Sequence, residues 1–252
     1  MPHRTTHRIV HGSSLLAAFL LTCCAAAQSA SPTYASVGEG VEVHTTYNTY
    51  KGGLVPSNGL IVLTKDSVVL IDTGWGIKQT KEVLRHVRRA WKRPVAACFS
   101  THFHDDRTAG IPVLRKRGIR CMATQATHDL AVNEGNPAPD VIIPKDTVMV
   151  IDGVPFEFHY PGAGHTRDNM VVWLAAKRVL HGGCLVKSAG ATDMGFIGDA
   201  DLAAWPASIR DLQRRYAEAR VIVPGHGAPG GPGLLDHTLL LLEEHASAPQ
   251  RP

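Results

Sequence analysis

Thr101-His102-Phe103-His104-Asp105-Asp106-Arg107 is the stretch on which the reading of this chain turns. It follows Val-Ala-Ala-Cys-Phe at 95–99, an apolar run that reads as a buried strand, so it is a polar loop leaving a strand end. Histidines two apart on extended backbone point the same way, and a carboxylate two residues further on reaches a neighbouring site. Imidazole and carboxylate suit zinc, with bonds of about 2.0–2.2 Å. A lone H-x-H marks a solvated polar loop just as readily, so the rest of the chain has to decide.

Three more segments repeat the theme. Gly162-Ala163-Gly164-His165-Thr166-Arg167-Asp168-Asn169 follows a strand pattern, as does Val223-Pro224-Gly225-His226-Gly227. In Gly182-Gly183-Cys184-Leu185-Val186-Lys187 the glycines expose a thiol, and a thiolate is a strong soft ligand for zinc. Singly, either histidine could be a cap or turn residue. Together, His102, His104, His165, Asp106, Cys184 and His226 suffice for two sites of three protein ligands each. Three ligands with an open position describe a catalytic zinc, whereas structural zinc is closed by four. No paired C-x-x-C framework competes with this reading.

Around these loops the hydrophobic periodicity alternates between two and 3.6 residues. Strands are expected at 41–47, 59–63, 68–71, 95–99, 119–122, 147–151, 154–160, 170–175, 178–181 and 221–223. Helices are expected at 77–91, 109–117, 125–133 and 234–244, and in the segment where Leu202, Trp205, Ile209, Leu212 and Tyr216 recur. Pro206 falls in the first turn of that segment, where a missing N–H does no harm. Residues 48–53, Asn-Thr-Tyr-Lys-Gly-Gly, are expected to form a mobile hairpin loop. Strands in both halves with helices between and after them predict one α/β domain of four layers, two sheets covered by helices.

The chain has 252 residues, 44% hydrophobic and 19% charged, the composition of a globular protein. Arg4 and Arg8 precede the apolar run 15–21 and the small residues Ala25-Ala26-Ala27, the pattern of a secretory signal peptide over 1–27, with the domain at 28–252. The apolar run is too short for a permanent span. Leu21-Thr22-Cys23-Cys24 faintly resembles a lipoprotein acceptor site but lacks the small residue before the cysteine, so a lipid anchor is the lesser expectation. Taking Arg4 and Arg8 from the 26 basic residues leaves 24 against 22 acidic ones, a net of +2 that points to no nucleic-acid partner. The basic runs 85–93 and 115–117 interleave with Leu84, Val87 and Trp91 at helical spacing and read as solvated helix faces. Cleavage near Ala27 leaves Cys98, Cys121 and Cys184; the first two sit in strand patterns as small buried hydrophobes.

The order H-x-H-x-D, G-H-T-x-D-N, G-G-C-x-x-K and P-G-H-G resembles subclass 1 of the class B metallo-β-lactamases, most of all the VIM type, over almost all of the chain beyond the leader. Phe103, Asp105 and Arg107, the segments 56–60 and 71–73, and Asp199-Ala200-Asp201-Leu202 fit the same likeness. Glyoxalase-type hydrolases and subclass 3 enzymes usually carry a second His after the motif aspartate; here Arg107 stands there and Cys184 replaces the lost ligand. Subclass 2 has Asn in place of the first His, here His102.

The resemblance implies the αβ/βα sandwich, with metals at one edge between the sheets. It implies two Zn2+ per chain, one on His102, His104 and His165, the other on Asp106, Cys184 and His226. The implied reaction is zinc-assisted opening of the β-lactam amide of penicillins, cephalosporins and carbapenems, conferring antibiotic resistance from the periplasm, by a monomer without a stable membrane span. Asp106 and Lys187 are then the catalytic side chains. Lys187 binds the substrate carboxylate, with Arg167 the nearest alternative cation. Tyr50 and Phe196 touch substrate, while Asp72 and Arg107 orient the ligands from behind. The family usually has Asn, a donor toward the lactam carbonyl, where this chain has Phe196. That departure keeps open a related two-zinc hydrolase acting on another ester, thioester or lactone, and a zinc protein that binds without turnover.

Overall fold

Alternation along the strands sorts the apolar side chains into three clusters, and these define the layers. Leu60, Val62, Val69, Ile71, Ala97 and Phe99 meet Phe156, Phe158, Val172, Leu174, Val179 and Val223 in one cluster. The residues between them in sequence point the other way. Ile61, Val68, Leu70 and Cys98 pack with Val83, Val87, Ile111 and Leu114, while Val171, Trp173 and Leu180 pack with Trp205, Ile209, Leu212, Leu235 and Leu241. A strand buried on both faces must be apolar at every position, which is why these runs are continuous rather than alternating with polar residues.

The computed structural model describes Met1 and residues 30–248. The first sheet runs β1 (Thr33–Gly38), β2 (Val41–Tyr50), β3 (Gly53–Leu63), β4 (Val68–Ile71), β5 (Val95–Phe99), β6 (Arg120–Ala123) and β7 (Val141–Ile142), in that spatial order. The second runs β12 (Val221–Pro224), β11 (Val179–Gly183), β10 (Val171–Leu174), β9 (Val154–His159) and β8 (Thr147–Ile151). Helices α1 (Ile77–Ala90) and α3 (Ile111–Arg115) cover the first sheet; α5 (Trp205–Arg215) and α6 (Gly233–Ser247) cover the second. This is the expected four-layer αβ/βα sandwich. β4 to β7 are parallel, as are β11 and β12, so several strand ends open along one edge between the sheets.

Three expectations are corrected. Residues 48–53 are mostly strand: β2 continues to Tyr50 and β3 starts at Gly53, closed by Lys51 and Gly52 at φ 49° and 79°. Two consecutive left-handed residues make the tight turn that suits a twisted hairpin. The helix expected at 109–117 starts earlier, as α2 (Asp105–Thr108), and breaks at Gly110 before α3. Asp105 and Asp106 stabilise that start, because carboxylates favour the positive end of the helix dipole. The short strands β1 and β7, at the two ends of the first sheet, lay outside the periodic patterns. Cys98 and Cys121 are buried and in register on β5 and β6, as expected. The expected signal segment, including Cys23 and Cys24, lies outside the described residues. Among the described residues no helix is long and apolar enough to cross a membrane.

Candidate metal centre

Each site residue follows a strand of one sheet or the other. His102 and His104 follow β5, Asp106 and Arg107 lie on α2, His165 follows β9, Cys184 follows β11 and His226 follows β12. The edge of the sandwich brings the six candidate ligands together beside one cleft of about 790 Å³, lined by His104, Asp106, His165 and His226, with His102 and Cys184 buried next to them.

His102 Nε2 lies 3.1 Å from His104 Nδ1, which lies 3.2 Å from His165 Nε2. Burial pushes His102 and His165 well below the usual imidazole range, and neighbouring cationic groups add to it. Three ring nitrogens converging within 4.8 Å of one another have the arrangement of ligands to one shared cation. His104 Nε2–H donates to Asp199 Oδ2 at 2.8 Å, which leaves its Nδ1 lone pair facing the cluster.

The second cluster carries charge. Cys184 Sγ lies 3.2 Å from His226 Nε2 and 3.8 Å from Asp106 Oδ2, and His226 Nε2 is 3.5 Å from that oxygen. His226 Nδ1–H donates to the Pro56 carbonyl, which turns Nε2 inward. His102 also stands within reach of Asp106 and Cys184, so the two clusters adjoin. Burial raises the Asp106 carboxyl, but Arg107 and the nearby histidines outweigh it and hold it below the usual range. Burial pushes the Cys184 thiol up to about 12, with Arg107 pulling against it.

Arg107 is completely buried. Its Nη2 donates to Cys184 Sγ at 2.8 Å, to Gly225 O at 3.1 Å and pairs with Asp106 Oδ2 at 2.9 Å. Its Nη1 donates to the Asn58 carbonyl and to Asp72 Oδ2, 3.3 Å away. A buried guanidinium is tolerated only where its charge is matched, and here both terminal nitrogens are engaged while Nε has no hydrogen-bond partner. Gly225 is needed for the approach, since a Cβ there would stand 2.5 Å from Cys184 Sγ and 2.7 Å from Arg107 Nη2. Ser57 Oγ reaches Asp106 Oδ2 at 3.3 Å. Asp72 lies behind this group at φ 63°, a strained conformation that costs about 1–3 kcal/mol and persists only where its surroundings enforce it.

The cleft walls include Tyr50, Lys51, Trp75, Lys187 and Phe196. Tyr50 and Phe196 are each nearly half exposed, and the Phe196 ring stands edge-on to His104 at 5.5 Å. Lys187 is partly buried, its Nζ 5.1 Å from the Trp205 ring centre, and burial pulls its ammonium below the ordinary value. Two expectations change here. The Cys184 thiol is buried, 2% exposed, with the Gly225 backbone closing against it rather than the adjacent glycines opening it to solvent. Arg167 is exposed and absent from the cleft lining, where Lys51 is the second cation. Trp75, Ser57 and Asn58 were not singled out from the sequence as site residues. A tryptophan just past a strand end that carries Asp72 was the available signal for the first.

A frame of two helix-covered sheets with histidine, aspartate and cysteine converging at its edge defines a metal-dependent hydrolase class. The profile of the Metallo-beta-lactamase superfamily matches residues 52–226. The chain is 41% identical over 207 residues to the metallo-beta-lactamase type 2 of Bacillus cereus, covering 82% of this chain and 81% of that one. Among solved structures it is similar to the metallo-beta-lactamase from Pontibacter korlensis, with TM-score 0.82, 44% identity and coverage of 84% and 99%. It is also similar to the metallo-beta-lactamase FIM-1 of Pseudomonas aeruginosa in the mono-zinc form, with TM-score 0.81, 33% identity and coverage of 87% and 98%. The chain belongs to the metallo-beta-lactamase superfamily, among its class B enzymes.

Proposed function

We propose that this protein hydrolyses the amide bond of β-lactams with two zinc ions, and so confers resistance to penicillins, cephalosporins and carbapenems. The carrying observation is the pair of adjoining ligand clusters that open onto a cleft also holding a partly buried lysine. His102, His104 and His165 would hold one ion; Asp106, Cys184 and His226 the other. The donor chemistry fits zinc, because neutral imidazoles, one carboxylate and one thiol are its ordinary ligands. Bound there, zinc supplies an acidified water and a polarised carbonyl.

The chain's own residues then bind and orient. Lys187 takes the carboxylate beside the lactam nitrogen; partial burial lowers its ammonium's pKa but strengthens the attraction once an anion is paired with it. Asp199 and the Pro56 carbonyl fix the tautomers of His104 and His226. Arg107 balances Asp106 and Cys184, and Asp72 holds Arg107 from behind. Tyr50 and Phe196 give the cleft apolar walls for the substrate's side groups.

Arg107 and Cys184 support subclass 1, and the likeness to the VIM type rests on the motifs alone. The leader pattern supports export to the periplasm, where the chain would act as a monomer. One observation favours a second reading: Phe196 presents an apolar ring where a donor toward the substrate carbonyl is expected, so an ester, thioester or lactone is the alternative substrate. Incubating zinc-loaded protein with a carbapenem and with a panel of esters, thioesters and lactones decides between them. Carbapenem turnover that a chelator abolishes supports the first reading, and turnover confined to the panel overturns it.

A further inference from the structure

Two fully buried histidines stand outside the ligand sets, His44 and His181. Neither ring nitrogen of His44 has a hydrogen-bond partner, whereas His181 has one bond and it leads to the metal centre. Along β11, Val179 faces the inter-sheet core and Leu180 the outer helices, so His181 takes an inward position that the pattern assigns to an apolar residue. A buried imidazole costs stability unless its polar atoms are used. Here Nε2–H donates to Asp72 Oδ2 at 2.9 Å, crossing from the second sheet to the first.

The oxygen it reaches is the informative detail. Asp72 Oδ1 is held by the Thr101 amide at 2.7 Å and the Thr101 hydroxyl at 3.0 Å. Oδ2 is the oxygen that faces Arg107, and its other donors are His181 at 2.9 Å and the Thr101 hydroxyl at 2.9 Å. Arg107 is a planar fork: fixing its Nη1 end against Asp72 fixes where Nη2 meets Cys184 and Asp106. His181 also stands three residues before Cys184 on the same chain, separated by Gly182 and Gly183. Two glycines make a soft link, so a cross-sheet tie immediately before them limits how far Cys184 can drift.

We propose that His181 is a positioning residue for the Asp106–Cys184–His226 half of the metal centre, acting through Asp72 and Arg107. The proposal rests on the metal assignment made above. Partners one step removed from metal ligands typically change metal affinity about 10–100-fold. We expect His181→Leu to weaken the Cys184-containing site about tenfold. The three-histidine site should shift by less than about threefold, because Thr101, which leads into His102, is held mainly through Oδ1.

The test is competition titration of the metal-free protein with zinc and with cobalt, the cobalt–thiolate absorption reporting the Cys184 site separately. His181→Gln keeps a donor at a similar reach and should restore affinity and absorption to near wild type. Val172→Ala, a core truncation opposite His181 on β10, controls for general loosening and should leave the ratio of the two affinities unchanged. Equal weakening of both sites in His181→Leu, or a Gln variant as impaired as Leu, overturns the proposal. A wild-type protein without a cobalt–thiolate site overturns both it and the metal assignment. Two sites in the wild type with unchanged affinities in His181→Leu overturn the positioning role alone.

Discussion

The two halves of the metal centre solve the same problem by different means. The three-histidine cluster is built from imidazole rings alone, and its order comes largely from packing: His104 against Phe103 and Phe196, His165 against Trp205. The Asp106–Cys184–His226 cluster is built from charge, and its order comes from one buried guanidinium that touches both Asp106 and Cys184. In the first, the ring nitrogens face chiefly one another. In the second, Arg107 already serves the ligands, so a metal there gains less over the metal-free state. The comparison teaches that one centre can hold a strong, pH-tolerant site beside a weaker, proton-linked one.

The largest effect should come from removing both metals. Exhaustive chelation should lower β-lactam turnover by at least about a thousandfold, since a metal contributes several kcal/mol to the transition state, and zinc should restore it. Full turnover in protein shown metal-free by elemental analysis would end the comparison altogether. Next, Cys184→Ser should weaken its own site by more than about a hundredfold, because loss of a ligand exceeds loss of a partner behind one. The three-histidine site should stay within about threefold. Separate isotherms for the two sites check this, and parallel losses would show that the halves are not independent.

Proton linkage sharpens the same contrast. A thiol held at about 12 by burial must release its proton to bind as thiolate, so raising the pH raises the competent fraction. Between about pH 6.5 and 8.5 the affinity of that site should grow roughly tenfold per unit. His102 and His165, pushed well below the usual imidazole range, are already unprotonated there, so these two ligands should add no pH dependence to their site. Calorimetry in buffers of different ionisation enthalpy counts the released protons, and none released at the second site would contradict the thiol assignment.

Two smaller effects concern the walls. Lys187→Ala should raise KM about tenfold with little change in kcat, as expected when a uniform binding contact is lost. Steady-state kinetics on several β-lactams check it, and an unchanged KM would pass the role to Lys51. Phe196→Asn should alter kcat/KM by less than about tenfold, because a metal beside the same oxygen supplies most of the charge stabilisation. Phe196→Ala should matter mainly for substrates with bulky apolar groups. A uniform hundredfold gain with Asn and none with Ala would show that the missing donor was limiting.

Much of this was legible in the sequence, because strand alternation, helix periodicity and ligand spacing are local properties. The apolar positions of β3, β4, β5 and β10 show that these strands are buried, and the four Gly- or His-bearing loops that follow strands together suggest a metal centre that H-x-H-x-D alone would not. The edge strands β1 and β7 carry no fully buried position, so no apolar pattern marks them, and β7 has only two residues. The early start of α2 was hidden because histidine and aspartate in the motif read as loop residues.

The chain itself therefore determined which residue types could bind metal and that each would sit at a strand end. It could not determine that Asp72 after β4, His181 on β11 and Arg107 on α2 meet in one buried hydrogen-bonded group. Those residues come from different sheets and are up to 109 positions apart. Only the closing of the two sheets removes the water between them, and in that dry edge their charges and donors have no partners but one another.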